Sequence, residues 1–170
     1  KYWINKASGH VFVTDDLKKK YSRLIKNDTP SIAIPNSINL KRFSNSKQQH
    51  KNDQIRISFI GTPNQPWHGL EYIKELSKSL ENVFFDIIGY DGYSTKNFKY
   101  HGYLCSEDYI PIISNSTACI GPLGIQSYKL KESSPLKVRE YVALGVPVIL
   151  GYVDFPLSKV SDDPMICKLS

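Results

Sequence analysis

Residues 55–60 read IRISFI, residues 61–69 GTPNQPWHG, residues 70–80 LEYIKELSKSL and residues 83–88 VFFDII. The first and last are short, mostly apolar runs, interrupted only by Arg56, Ser58 and Asp86, and each stops at a glycine, Gly61 and Gly89. Runs of that kind suit strands buried on both faces. Between them Leu70, Ile73, Leu76 and Leu80 recur at helical spacing. A helix is therefore expected over 67–80, with those four on its inner face. Two strands joined by a crossover helix form the repeating unit of a parallel sheet.

The same alternation continues outward. Segments 98–103 (FKYHGY), 118–121 (ACIG), 147–150 (PVIL) and 165–168 read as further strands. A helix is expected over 107–115 with Ser106 as its cap, although Pro111 removes a donor inside it. Another is expected over 135–144, with Ser134 as N-cap, Pro135 at the first helical position and Gly145 just past the end. Towards the N-terminus, 10–14 (HVFVT) reads as a strand. Thr14 then caps a helix from Asp15 to Lys26, with Leu17, Tyr21, Leu24 and Ile25 on one stripe. Segment 31–34 reads as a strand, and the polar stretch Asn36–Asp53 as a linker. The expected fold is α/β, a Rossmann-like doubly wound parallel sheet. Ligands of such sheets bind beyond the carboxyl ends of the strands, so the loops after Ile60, Ile88, His101, Ile120 and Leu150 are the places for chemistry.

Composition narrows the function. The chain has 170 residues, 41% apolar and 22% charged, which excludes collagen-like, coiled-coil and disordered classes. The net charge of +6 suits anionic ligands or surfaces. The basic residues are scattered apart from Lys18-Lys19-Lys20, unlike a nucleic-acid footprint, so no nucleic-acid partner is expected. Cys105, Cys119 and Cys167 match no metal or redox spacing, and Cys119 is expected in the core as a free thiol. That suggests a reducing compartment. The longest mostly apolar stretch, Tyr141–Val153, is shorter than the ~20 residues of a membrane-spanning helix. The only methionine is Met165 and the chain begins at Lys1, which reads as a piece of a larger protein.

Two stretches carry candidate chemistry. In GTPNQPWHG, a glycine directly after a strand allows close approach, and the following helix offers free amides to an anion. It is neither a GxGxxG fingerprint nor a P-loop. Taken alone, it reads equally well as a tight turn with Trp67 packed on the sheet, and His68 as a structural histidine. The second stretch is ESSPLKVREYVALGVPVI, residues 132–149. Glu132 precedes a helix start and Glu140 lies within the helix. Ser134 and the amides of Leu136 and Lys137 face the helix mouth, where a pyrophosphate would gain from the dipole and the orphan N–H groups. Lys137 adds a charge.

This second stretch resembles the E-x7-E signature, and the Gly-x-Pro-Val turn after it, of the retaining GT-B glycosyltransferases of the family-4 group. Four other segments resemble that family in collinear order. HVFVTDDLKKKY (10–21) resembles its last acceptor-domain strand and helix, and IAIPNSINLKRF (32–43) its interdomain crossover. ISFIGTPNQPWHGLEYI (57–73) resembles its first donor-domain strand–loop–helix. FKYHGYLCSEDYIPIISNSTACIGPL (98–123) resembles the stretch leading to the signature.

The resemblance implies residues 1–45 as a remnant of an acceptor domain with its crossover, and 46–170 as a donor-binding domain cut short at its C-terminus. It implies hexosyl transfer, with retention, from a nucleotide-diphosphate sugar to a saccharide or glycolipid acceptor, without a bound metal or other cofactor. By resemblance Glu132 contacts the donor sugar near the reacting carbon and Glu140 takes the ribose hydroxyls. The amides of Leu136 and Lys137 take the diphosphate, Gly61 admits the donor phosphates, and Gly102-Tyr103-Leu104 lie beside the base. Bacterial surface-polysaccharide or glycolipid synthesis in the cytoplasm, at or near the inner face of the membrane, is the implied setting. The basic stretch between Pro122 and Glu132 (Lys129, Lys131) is a candidate for phosphate or membrane contact.

The departures are specific. Where the family often carries Arg after the strand glycine and Lys before the second glycine, this chain has Thr62 and His68. His68 replaces a lysine only if protonated, or by donating one neutral hydrogen bond. Lys137 and Arg139 are the other candidate cations. The crossover glycine is replaced by Ser37. The alternative reading is a non-catalytic nucleotide- or partner-binding module of the same fold.

Overall fold

The computed structural model describes residues 4–26, 28–43, 54–160 and 163–169. Near the N-terminus, β1 (His10–Phe12) and β2 (Ser31–Ala33) pair in parallel, joined through helix α1 (Asp15–Ser22). Thr14 caps α1 as expected, its Oγ1 accepting from the Leu17 amide at 3.2 Å. The helix stops short of Lys26. Leu24 and Ile25 instead make tight turns, donating to the carbonyls of Tyr21 and Ser22. The linker residues 44–53 lie outside the described residues.

The central sheet comprises β3 (Ile55–Ile60), β4 (Val83–Ile88), β5 (Phe98–Tyr100), β6 (Ala118–Ile120), β8 (Val148–Leu150) and β10 (Ile166–Lys168). All its pairs are parallel, in the order β10-β8-β6-β3-β4-β5. The chain starts in the middle at β3, steps out through β4 to β5, then returns to β6 and builds the other half. That is the Rossmann order, and the reversal falls between β3 and β6. Helices α2 (Leu70–Ser79), α3 (Ser106–Ser114) and α4 (Leu136–Ala143) connect the strands. A small parallel pair, β7 (Glu132–Ser133) with β9 (Val153–Asp154), brackets the entrance to α4.

Strand alternation divides the core between two faces. Ile57, Phe59, Phe85 and Ile87 pack with Ile73 of α2 on one face. Cys119, Val148 and Leu150 pack with Ile113, Val138 and Tyr141 of α3 and α4 on the other. Cys119 is a fully buried free thiol, and burial pushes its pKa up.

Three local expectations need correction. Helix 67–80 is broken at Gly69 (φ 71°), which separates a 3-10 turn, Pro66–His68, from α2. Its buried stripe runs through Ile73 and Ser77, while Leu76 and Leu80 remain exposed. Cys105, not Ser106, holds the cap position of α3; its thiol donates to Asp108 Oδ2. Pro135, not Ser134, holds the cap position of α4, and no side chain caps that helix. Gly145 ends the helix with φ 76°, as expected.

Candidate functional site

The site is built where β3 and β6 part. Their register ends at Ser58 opposite Cys119, two residues before β3 itself ends. The Ile60 amide is taken by the Tyr141 hydroxyl of α4 at 2.8 Å, which pins α4 against the carboxyl end of β3. The loops that follow the two strands are joined to each other. Leu123 N–H donates to the His68 carbonyl and Gly124 N–H to the Trp67 carbonyl. Trp67 is not packed on the sheet; it is 39% exposed and meets the edge of Tyr128. Gly61 lies at this corner. A Cβ there would overlap the Tyr90 ring, so its lack of a side chain is already used by the protein interior.

His68 is buried with its edge toward Phe59. Its Nδ1 accepts from the Thr62 amide (3.3 Å) and lies 2.7 Å from the Tyr90 hydroxyl. Because the amide can only donate, Nδ1 is unprotonated, Tyr90 donates to it, and Nε2 carries the ring proton. Burial first, and the nearby Lys137 charge second, lower the pKa of His68 to about 4. His68 is therefore neutral near pH 7 and brings no charge for a phosphate. Thr62 offers only its hydroxyl, since its amide is already spent on His68.

The charge lies on α4. The Lys137 ammonium sits 4.4 Å over the face of the Phe59 ring, and the nitrogen is buried without a hydrogen-bond partner. Burial lowers its pKa to about 7. Arg139 points elsewhere. Its Nη2 donates to Asp154 Oδ1 (2.6 Å) and to Ser134 Oγ (3.1 Å). Ser134 Oγ also accepts from the Asn36 amide at 3.0 Å, and Asn36 Nδ2 donates to the Ser134 carbonyl at 2.7 Å. Ser134 thus ties the segment after β2 to the start of α4 and does not face the helix mouth. Leu136, half exposed, supplies a free first-turn amide.

The two glutamates have different surroundings. Glu132 Oε2 accepts from the Asp16 amide at 3.0 Å, and Asp16 Oδ2 accepts from the amides of Lys131 (2.8 Å) and Glu132 (3.1 Å). This reciprocal lock joins the start of α1 to β7 and leaves Oε1 of Glu132 for a further donor. Glu140 is half-buried and accepts from the Tyr109 hydroxyl of α3 at 3.0 Å. Burial raises its pKa, while the Tyr109 bond and the Arg42 charge pull it down. The Tyr109 phenol is pushed up to about 12, mainly by burial and then by Glu140.

Gly102 turns the chain after β5 with φ 65°, its carbonyl accepting from the Gly89 amide at 2.7 Å. Tyr103 is 90% exposed. Leu104 packs on the core. The structure thus gathers Gly61, Thr62, His68 and Lys137 near Phe59, and Glu140 with Tyr109; Glu132 stands with α1, and Tyr103 is exposed to solvent. Sequence reasoning missed Tyr90, Tyr109, Asp16 and Asn36. No spacing connects residue 109 to 140 or 16 to 132; the hydrogen bonds are across elements distant in the chain. Among the described residues, no group of three or more His, Cys, Asp or Glu side chains is placed to hold a metal ion, and no helix is long and apolar enough to cross a membrane.

No family model matches the chain, and no curated protein matches it. Solved structures do. Sucrose-phosphate synthase from Thermosynechococcus elongatus superposes with TM-score 0.68 at 15% identity, over 94% of this chain and 44% of that one. Anabaena HepE in complex with UDP and glucose gives TM-score 0.68 at 12% identity, over 96% and 50%. The lipopolysaccharide outer core galactosyltransferase WaaB, in its apo form, gives 0.56 at 17%, over 85% and 43%. The chain spans half or less of each of these proteins. At such identities the likeness shows the fold: a Rossmann-like domain of the kind these glycosyltransferases carry.

Proposed function

We propose that this chain supplies the donor site of a retaining glycosyltransferase, one that moves a hexosyl group from a nucleotide-diphosphate sugar to a saccharide or glycolipid. Residues 46–170 are the donor domain in this reading, and residues 1–45 the crossover and the edge of an acceptor domain. One observation carries it. At the reversal point of the sheet, the uncapped start of α4, a buried lysine and two spaced carboxylates, Glu132 and Glu140, are all presented by one segment. The solved relatives that share the fold include one described with UDP and glucose.

The resemblance suggests the roles, and the geometry is compatible with them. Glu140, oriented by Tyr109, accepts hydroxyl protons from a ribose, for which a carboxylate with a free oxygen is suited. The amides of Leu136 and Lys137 face the diphosphate. Glu132, held by Asp16 through one oxygen, uses the other to orient the sugar. The departing diphosphate is stabilised by fixed amides and a side-chain cation, an electrostatic role that calls for no metal. The alternative, a binding module without catalysis, gains from the neutrality of His68; sugar transfer by the whole protein excludes it.

Calorimetric titration with UDP, GDP, ADP and their sugar conjugates, with and without magnesium, tests the reading. Saturable, metal-independent binding of one nucleotide, weakened in Glu140→Ala, is expected. Unchanged affinity in that variant removes the ribose role.

A further inference from the structure

Arg56, Arg139 and Lys137 are cationic side chains set against buried groups. Arg56 is answered by Asp86 at 2.6 Å and Arg139 by Asp154 at 2.6 Å. Lys137 is answered by nothing: its nitrogen is buried, carries three donors and has only the Phe59 ring beneath it. A ring face attracts an ammonium but cannot accept its three hydrogen bonds. Around it the loop after β3 contributes no charge, because His68 is held neutral by the Thr62 amide and Tyr90. Lys137 is also in the first turn of α4, whose leading amides have no side-chain cap. Two unanswered sources of positive potential, the ammonium and the helix start, thus coincide at the carboxyl end of β3.

We infer that Lys137 is the receptor cation for a diphosphate, its ammonium and the first turn of α4 together taking the anion, so that the charge comes from the helix and not from the loop after β3. This rests on the donor-site reading above and assigns the charge within it. A bound diphosphate supplies the missing acceptors, and its negative charge favours the protonated lysine. An anion is thus the chemistry that answers the unpartnered ammonium.

Titrations of inorganic pyrophosphate and of UDP, GDP and ADP into the native chain, Lys137→Met and Glu140→Ala at pH 7 and low salt test it. Lys137→Met should weaken both pyrophosphate and nucleotide by about tenfold or more, the scale of a charge-assisted contact. Glu140→Ala should weaken the nucleotide and leave pyrophosphate unchanged. Equal pyrophosphate affinity in native chain and Lys137→Met overturns the inference, while loss of nucleotide binding in Glu140→Ala still upholds the donor site. Pyrophosphate binding that depends on Lys137, with no nucleotide bound, upholds the anion receptor and overturns the donor reading. No binding of any probe overturns both. A charge-keeping variant guards against a folding artefact: Lys137→Arg should retain pyrophosphate binding that Lys137→Met loses. Equal loss in the two, with both folded by circular dichroism, counts against the inference.

Discussion

Lys137→Met should stabilise the fold, and by an amount that depends on pH. The side chain keeps its length and loses its charge, and a thioether packs well against the Phe59 ring. Burial lowers the lysine from 10.5 to about 7. The unfolded chain therefore binds more protons than the native one between those values, and native stability rises with pH across that window. The penalty is complete below about pH 7 and gone above about pH 10.5. The gap corresponds to a penalty on the order of 5 kcal/mol at pH 6 and about 2 kcal/mol at pH 9. Water entry and side-chain relaxation around a buried ion reduce the realised gain to roughly 2–5 kcal/mol at pH 6 and ~1–2 kcal/mol at pH 9. Urea unfolding of both proteins, followed by tryptophan fluorescence at the two pH values, gives the difference directly, and titrations common to both chains cancel. A difference that is the same at pH 6 and pH 9, or a variant less stable than the native chain at pH 6, would refute the assignment of Lys137 as a buried, unanswered cation.

Tyr141→Phe should cost about 1–2 kcal/mol, because it leaves the part-buried Ile60 amide without its acceptor where β3 and β6 separate; chemical denaturation measures it. Arg139→Met should cost about 3–5 kcal/mol, since it strands the fully buried Asp154 and removes a donor to Ser134. A cost below about 1 kcal/mol would mean that Asp154 is not charged in the native state. Thiol labelling under native conditions should modify Cys105 and Cys167, both exposed, and spare Cys119 until the chain unfolds.

The class of fold was legible because its signal is local. IRISFI and VFFDII become β3 and β4 with the expected limits, and the strand near residues 166–168 is where the apolar run lies. Strands buried on both faces are mostly apolar, with Ser58 and Asp86 as hydrogen-bonded exceptions, so their limits are visible without tertiary context. Helix ends were less legible. Pro135 and Gly145 marked α4 correctly to within a residue, but Ser134 was misread as its cap because a serine before a helix looks the same whether or not its hydroxyl is drawn off by a distant partner.

The sequence by itself determined the strand–helix alternation, the corner after Gly61, the core position of Cys119 and the segment that presents Glu132, Lys137 and Glu140. Tertiary structure alone decided what each of those groups does. His68 is neutral because Thr62 and Tyr90 converge on its Nδ1. Arg139 is unavailable because Asp154 and Ser134 occupy it, and Lys137 is the one left without a partner. Charge type can be read from a residue's name. The state and direction of that charge depend on burial and on partners up to 116 residues away in the chain, as with Asp16 and Glu132, and no local spacing encodes them.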